Sequence, residues 1–163
     1  STCSLSIGDI YAGGVIFYLD DSGCHGLVSK ATDEPAYYQW STAYFETLAF
    51  ASGIFVGAQN TKKSIAIAIA NGEKCPAAIQ ASLPYGGFND WYLPSKDELD
   101  MMYVNLHLQG FGGFGNLYYW SSTEFDFKYA WIQFFNNGYQ NSNNKFYDHK
   151  DYYFNYVRAV RAF

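Results

Sequence analysis

Between Phe125 and Tyr156 the chain places six Asn, six Tyr, six Phe and three Asp within 32 residues, and no Leu, Val, Met, Pro, Thr, Glu or Arg. This palette limits what the segment can become. Core strands draw on Val, Ile and Leu, and a disordered tail does not carry so many aromatics. Tyr, Asn, Ser and Asp together suit a binding surface, where rigid rings supply contact area at low entropy cost and small polar groups supply adaptable hydrogen bonds. The regular VRAVRAF of residues 157–163 closes the segment.

The rest of the chain has to supply the scaffold. At 163 residues, half of them apolar and a fifth aromatic, one domain with a substantial core is expected over residues 1–163. The net charge of −5 comes without a basic stripe, which argues against nucleic acid as a partner. The longest apolar run, residues 65–70, is too short to cross a membrane as a helix, so no direct insertion is expected. The abrupt opening STCSLSIGD reads as the start of a domain excised from a longer protein. Cys3, Cys24 and Cys75 allow either one disulfide with an odd thiol or three free thiols.

Local patterns give an α+β layout. Residues 14–19 and 25–29 flank the turn signal Asp20-Asp-Ser-Gly23 and read as a hairpin. Residues 33–58 are irregular, with Trp40 and Tyr44 as packing residues. The Ile-Ala alternation of 65–70 also fits a strand, but the caps and the alanine content favour a helix over 61–70, capped by Asn60 and ended by Asn71-Gly72, and a short helical piece is expected over 77–81. Ser95 and Glu98 form a capping box, followed by Leu99, Met102, Tyr103 and Leu106 at helical spacing. The glycine-rich 110–115 reads as a flexible loop. Strands follow at 118–122, 129–135 and 157–163, with Asn136-Asn-Gly138 as a hairpin turn.

No GxSxG elbow, HExxH, P-loop or GxGxxG occurs, so neither an enzyme nor a cofactor is expected. Asp97, Glu98 and Asp100 read as favourable charge in a first helical turn, and Arg158 and Arg161 as exposed or ion-paired residues of a terminal strand.

Five segments in order then carry a resemblance: GVIFYLD (14–20), HGLV (25–28), NDWYLPSKDEL (89–99), YWSSTE (119–124) and VRAVRAF (157–163). The chain resembles the Lcl C-terminal domain family. The resemblance implies a C-type-lectin-like fold, with small mixed or antiparallel sheets, two helices and long irregular loops. It also implies a secreted or surface-exposed bacterial protein, held by an anchor outside this chain. Glu34-Pro-Ala36 and Asn89-Asp-Trp91 depart from the motifs with which C-type lectins hold calcium and sugar, so no metal is expected.

Residues 120–163 also resemble the variable region of a target protein of a diversity-generating retroelement, in which template adenines are mutated, chiefly in AAC Asn codons. Within 125–156, 24 of the 32 residues are Asn or Tyr, Phe, Asp, His, Ser or Ile, all reachable from AAC through its adenines. The other eight are Lys128, Ala130, Trp131, Gln133, Gly138, Gln140, Lys145 and Lys150. Most of these look like fixed scaffold, although Ala and Gly are also reachable. If 129–135 is a strand, Ile132 and Phe134 share one face, with Trp131, Gln133 and Phe135 on the other. Ile132 and Phe134 would also fit a core.

The expected function is therefore binding of a protein or glycan on another cell or surface. The expected binding residues are Phe125, Asp126, Phe127, Tyr129, Ile132, Phe134, Tyr139, Ser142, Phe146, Tyr147, Asp148, His149, Asp151, Tyr152, Tyr153, Phe154 and Tyr156. The rival expectation is an adhesin for sulfated polysaccharide. It would use a basic trench of Lys128, Lys145, Lys150, Arg158 and Arg161, of the kind that a homo-oligomer could assemble.

Overall fold

The computed structural model describes residues 2–146 and 155–163. Among these residues, two four-stranded sheets and three α-helices make an α+β fold. In the first sheet, β1 (Ile10–Tyr11), β2 (Gly14–Leu19), β3 (Gly26–Ser29) and β8 (Val160–Ala162) lie in that order, all antiparallel. In the second, the order is β6 (Gln140–Asn144), β5 (Tyr129–Phe134), β4 (Tyr118–Glu124) and β7 (Asn155–Tyr156), with β7 parallel to β4. The expected hairpins, β2–β3 and β5–β6, are both present. The second closes through Gly138, whose φ of +81° needs a residue without Cβ and whose amide donates to Phe134 O.

The C-terminal run joins the two sheets. After β7 the chain lies beside residues 30–38, where Lys30, Glu34 and Tyr38 amides donate to Ala159, Val157 and Asn155 carbonyls. Val160 also exchanges both backbone hydrogen bonds with Tyr92, at 2.8 and 3.0 Å, so the NDWYLP segment docks on the last strand. Arg158 and Arg161 are buried rather than exposed. Arg158 pairs with Asp33 at 2.8 Å and donates to the Gly112 and Gly113 carbonyls, so the glycine-rich loop expected to be flexible is pinned. Arg161 grips both oxygens of Asp90, whose carboxyl it holds below its usual range.

The helices follow their sequence signals with one correction. α1 runs Gly57–Ala70, starting four residues before the expected 61, and Asn60 is not its cap. Asn60 is buried instead, donating to Ala51 O. The early start has a tertiary cause: the Glu98 carboxylate accepts from the Phe55 and Gly57 amides and takes over the capping role. Gly57 leaves room for this, since a Cβ there would collide with Glu98 Oε1. α2 is Pro76–Ala81. α3 is Lys96–Asn105, with the Ser95–Glu98 capping box formed in both directions. Leu99 and Met102, together with Leu106 just beyond α3, are fully buried against β2, β4 and the end of β5. Each such side chain contributes about 1.5–3 kcal/mol.

Cys3 and Cys24 form a disulfide, and Cys75 is a buried free thiol that burial pushes up to about 12. The bridge ties the N-terminal segment to the β2–β3 turn. Reducing it is expected to lower the unfolding free energy by about 3 kcal/mol, read as a lower urea midpoint. An unchanged midpoint would mean that the N-terminal segment is held without it.

Candidate ligand-binding surface

The second sheet presents two distinct patches, one on each face. On one face, Tyr118 of β4 lies opposite Phe134 of β5. Phe135 N donates to Leu117 O, so the next pair along, Tyr118 and Phe134, does not exchange backbone bonds, and the side chains approach closely. Their rings stack at 4.2 Å with 10° between planes. They stand in a groove of about 700 Å³, whose wall continues through Ile132, Asn141, Asn143 and Tyr156. Ile132 is only 6% exposed and joins the groove to the core beneath, where it meets Trp120. Every described residue lining the groove is uncharged.

The other patch is aromatic and lies beside the irregular segment. Phe125 packs edge-on against Trp131 at 5.4 Å, and Lys96 Nζ sits 4.6 Å from the Trp131 ring centre. Tyr44 meets Phe146 and Phe127 edge-on, and Lys128 Nζ lies 5.6 Å from the Tyr44 and Tyr129 rings. Tyr44, expected to be a packing residue, is exposed, whereas Trp40 is buried and donates its indole N–H to Ser121 O.

The expected binding residues therefore separate. Ile132, Phe134, Ser142 and Tyr156 line the groove. Phe125, Phe127, Tyr129 and Phe146 belong to the aromatic patch. Tyr139 stands at the hairpin end, 64% exposed. Asp126 has a structural task, accepting from the Lys128 and Tyr129 amides at 2.8 Å each and forming the β4–β5 turn. Tyr147, Asp148, His149, Asp151, Tyr152, Tyr153 and Phe154 lie outside the described residues. Ile132 and Phe134 share a face as expected. Tyr129, however, lies on the Trp131 and Gln133 face, so binding-type and scaffold-type residues are not cleanly divided between the two faces. Sequence reasoning missed Tyr118, Asn141 and Asn143 in the groove and Tyr44 in the patch. The two Asn carried a usable signal, since they belong to the Asn-, Tyr- and Phe-rich palette of residues 125–156.

The basic trench does not form among the described residues. Lys145 is fully buried, 2.6 Å from Glu124, and burial holds its ammonium below its usual range while Glu124 pulls the other way. Glu124 also accepts from Thr47 N, Thr47 Oγ1 and Leu48 N. Arg158 and Arg161 are committed to Asp33 and Asp90. Lys150 lies outside the described residues. Ser121 Oγ donates to Trp131 O, and no three His, Cys, Asp or Glu gather as a metal set among the described residues.

The model of the Lcl C-terminal domain matches residues 29–161, from the end of β3 into β8, and includes the groove, the aromatic patch and the buried ion pairs. The chain belongs to the Lcl C-terminal domain family. No curated protein matches it. In this Lcl C-terminal domain, the NDWYLP and VRAVRAF segments meet through the Tyr92–Val160 backbone pair. Motifs far apart in sequence thus pair at β8, the end strand of the first sheet.

Proposed function

We propose that this domain is a non-enzymatic ligand-binding module of an exported bacterial surface protein, and that its C-terminal surface is rewritten at Asn codons. The supporting observation is how residue types within 125–156 divide between framework and surface. Ala130, Gln133 and Lys145 are buried, Gly138 makes the turn, and Gln140 Nε2 donates to Lys96 O. Gln133 Nε2 bridges Asp100 and Gly138 O. Except for Ala and Gly, these are types that adenine changes in AAC do not produce. The types that such changes do produce, at Phe125, Phe127, Asn136, Asn137, Tyr139 and Asn141, are exposed. Phe135, Ile132 and Asn155 depart from this division by being buried, and Lys128 and Trp131 depart from it by being half-buried within the aromatic patch. The Cys3–Cys24 bridge is consistent with an oxidising compartment.

Binding would come from ring anchors with adaptable Asn, Ser and Tyr hydrogen bonds on a β framework that is already ordered. A sulfated-polysaccharide adhesin is disfavoured, since its cations would have to leave Glu124, Asp33 and Asp90.

Sequencing the locus tests diversification. A near-copy of the 120–163 coding region, differing at adenines and lying beside a reverse transcriptase gene, is the expected result. Absence of such a copy sinks diversification and leaves binding to be tested separately. A second expectation concerns tolerance. Phe125→Ser, Phe127→Ser and Tyr139→Ser should each change stability by no more than about 0.5 kcal/mol in urea titrations. Losses above about 2 kcal/mol would show that these rings are structural.

A further inference from the structure

We infer that the groove beside the Tyr118–Phe134 stack binds a short, neutral oligosaccharide. This rests on the ligand-binding reading above and assigns a ligand class to one of its two patches.

The edge strand β6 carries the first part of the case. Phe134 N donates to Tyr139 O and Lys145 N to Lys128 O, which fixes the alternation along β6. Asn141 and Asn143 turn their backbone groups toward β5, while Ser142 and Asn144 turn their N–H groups to the open edge. Such an edge normally invites an added strand. Here both outward amides already have partners: Asn141 Oδ1 accepts from Ser142 N and Asn143 Oδ1 from Asn144 N, each at 2.8 Å. An incoming peptide finds those two donors occupied, so the edge resists strand addition.

The same bonds orient the two side chains chemically. With each Oδ1 engaged by its own strand, each Nδ2 is left as a donor with no acceptor among the described residues. Two residues apart on one strand, these amides form a short row of donors on the groove wall. A ligand rich in hydroxyl oxygens can satisfy them.

The aromatic pair supplies the complementary apolar surface. Each ring uses one face on the other, Phe134 is half-buried, and Tyr118 is 44% exposed. The C–H face of a sugar ring carries slight positive charge and packs on the electron-rich face of an aromatic ring. The groove volume, about 700 Å³, lies within the usual range of small-ligand sites. No charged residue stands among the described lining, so the described residues offer no charge partner there to a sulfated chain or to an acidic or basic peptide.

The test screens the intact domain on an array of neutral and acidic oligosaccharides and titrates each bound glycan calorimetrically. A neutral glycan is expected to bind, with affinity unchanged as salt rises from about 0.1 M to about 1 M. Tyr118→Ala should weaken it by about 10-fold or more. Ile10→Ser, exposed in the other sheet, should leave it unchanged. Asn141→Asp keeps the acceptor and removes the donor, and should weaken binding without loss of fold by circular dichroism. The inference is overturned if no neutral glycan binds, if only acidic glycans bind in a salt-sensitive way, or if Tyr118→Ala leaves neutral-glycan affinity intact. A protein ligand lost on Tyr118→Ala, with no glycan bound, overturns the saccharide assignment and leaves the ligand-binding reading standing.

Discussion

Lys145→Met is expected to cost about 3–5 kcal/mol, because it strands the Glu124 carboxylate in a site with no solvent access. Lys145 Nζ lies 2.6 Å from Glu124 and 3.0 Å from Phe45 O, over the Trp40 ring. The substitution keeps the volume and removes only the charge and its donors. For a domain of this size the loss corresponds to a fall in Tm of about 10 °C or more. Adding Glu124→Gln should recover part of it, since the amide oxygen can still accept from Thr47 while the unpaired charge is gone. Thermal unfolding of the two single variants and the double variant measures the coupling. A Lys145→Met protein within about 1 kcal/mol of wild type would show that the pair does not hold the end of β6 against residues 45–47.

Glu98→Ala should have a comparable effect, about 4 kcal/mol, for a different reason. The carboxylate accepts from four donors, namely the amides of Phe55, Gly57 and Ser95 and the Tyr92 hydroxyl. It thereby serves the N-termini of α1 and α3 together. Burial pushes its carboxyl above the ordinary range while these donors pull it down. Truncation leaves all four donors without a partner. Glu98→Gln keeps one accepting oxygen and should lose about half as much. Urea denaturation distinguishes this from an ordinary cap. A cost near 1 kcal/mol for Glu98→Ala would mean that only the local capping box matters.

Glu98 also shows where sequence reasoning reached its limit. The capping box was legible from Ser95 and Glu98, because both partners sit within one helical turn. The second role, at the start of α1, depends on a contact across 41 residues, and no local pattern announces it. The misplaced start of α1 has the same origin: Asn60 looks like a cap by type, yet tertiary burial uses its amide elsewhere. The hairpins and α3 were recovered because turn chemistry and helical spacing are local. The groove was half legible. Alternation placed Ile132 and Phe134 together, but Tyr118 joins them only through β4–β5 pairing. The rival trench is conceivable from sequence because charge is visible there, whereas the partners 21, 71 and 125 residues away that commit these cations to ion pairs are not.

The sequence by itself determined the family, the α+β class and the separation of a Tyr-, Phe- and Asn-rich segment from its framework. The family follows from the ordered motifs that its model matches, and the class and the segment from period and composition, all of which the chain carries in its sequence. Tertiary structure decided which face each ring occupies, which cations are unavailable for a ligand, and that Asn141 and Asn143 close their own strand edge. Each of these depends on a register or an ion pair formed only when distant segments pack, and burial then fixes the result by making an unpaired group costly.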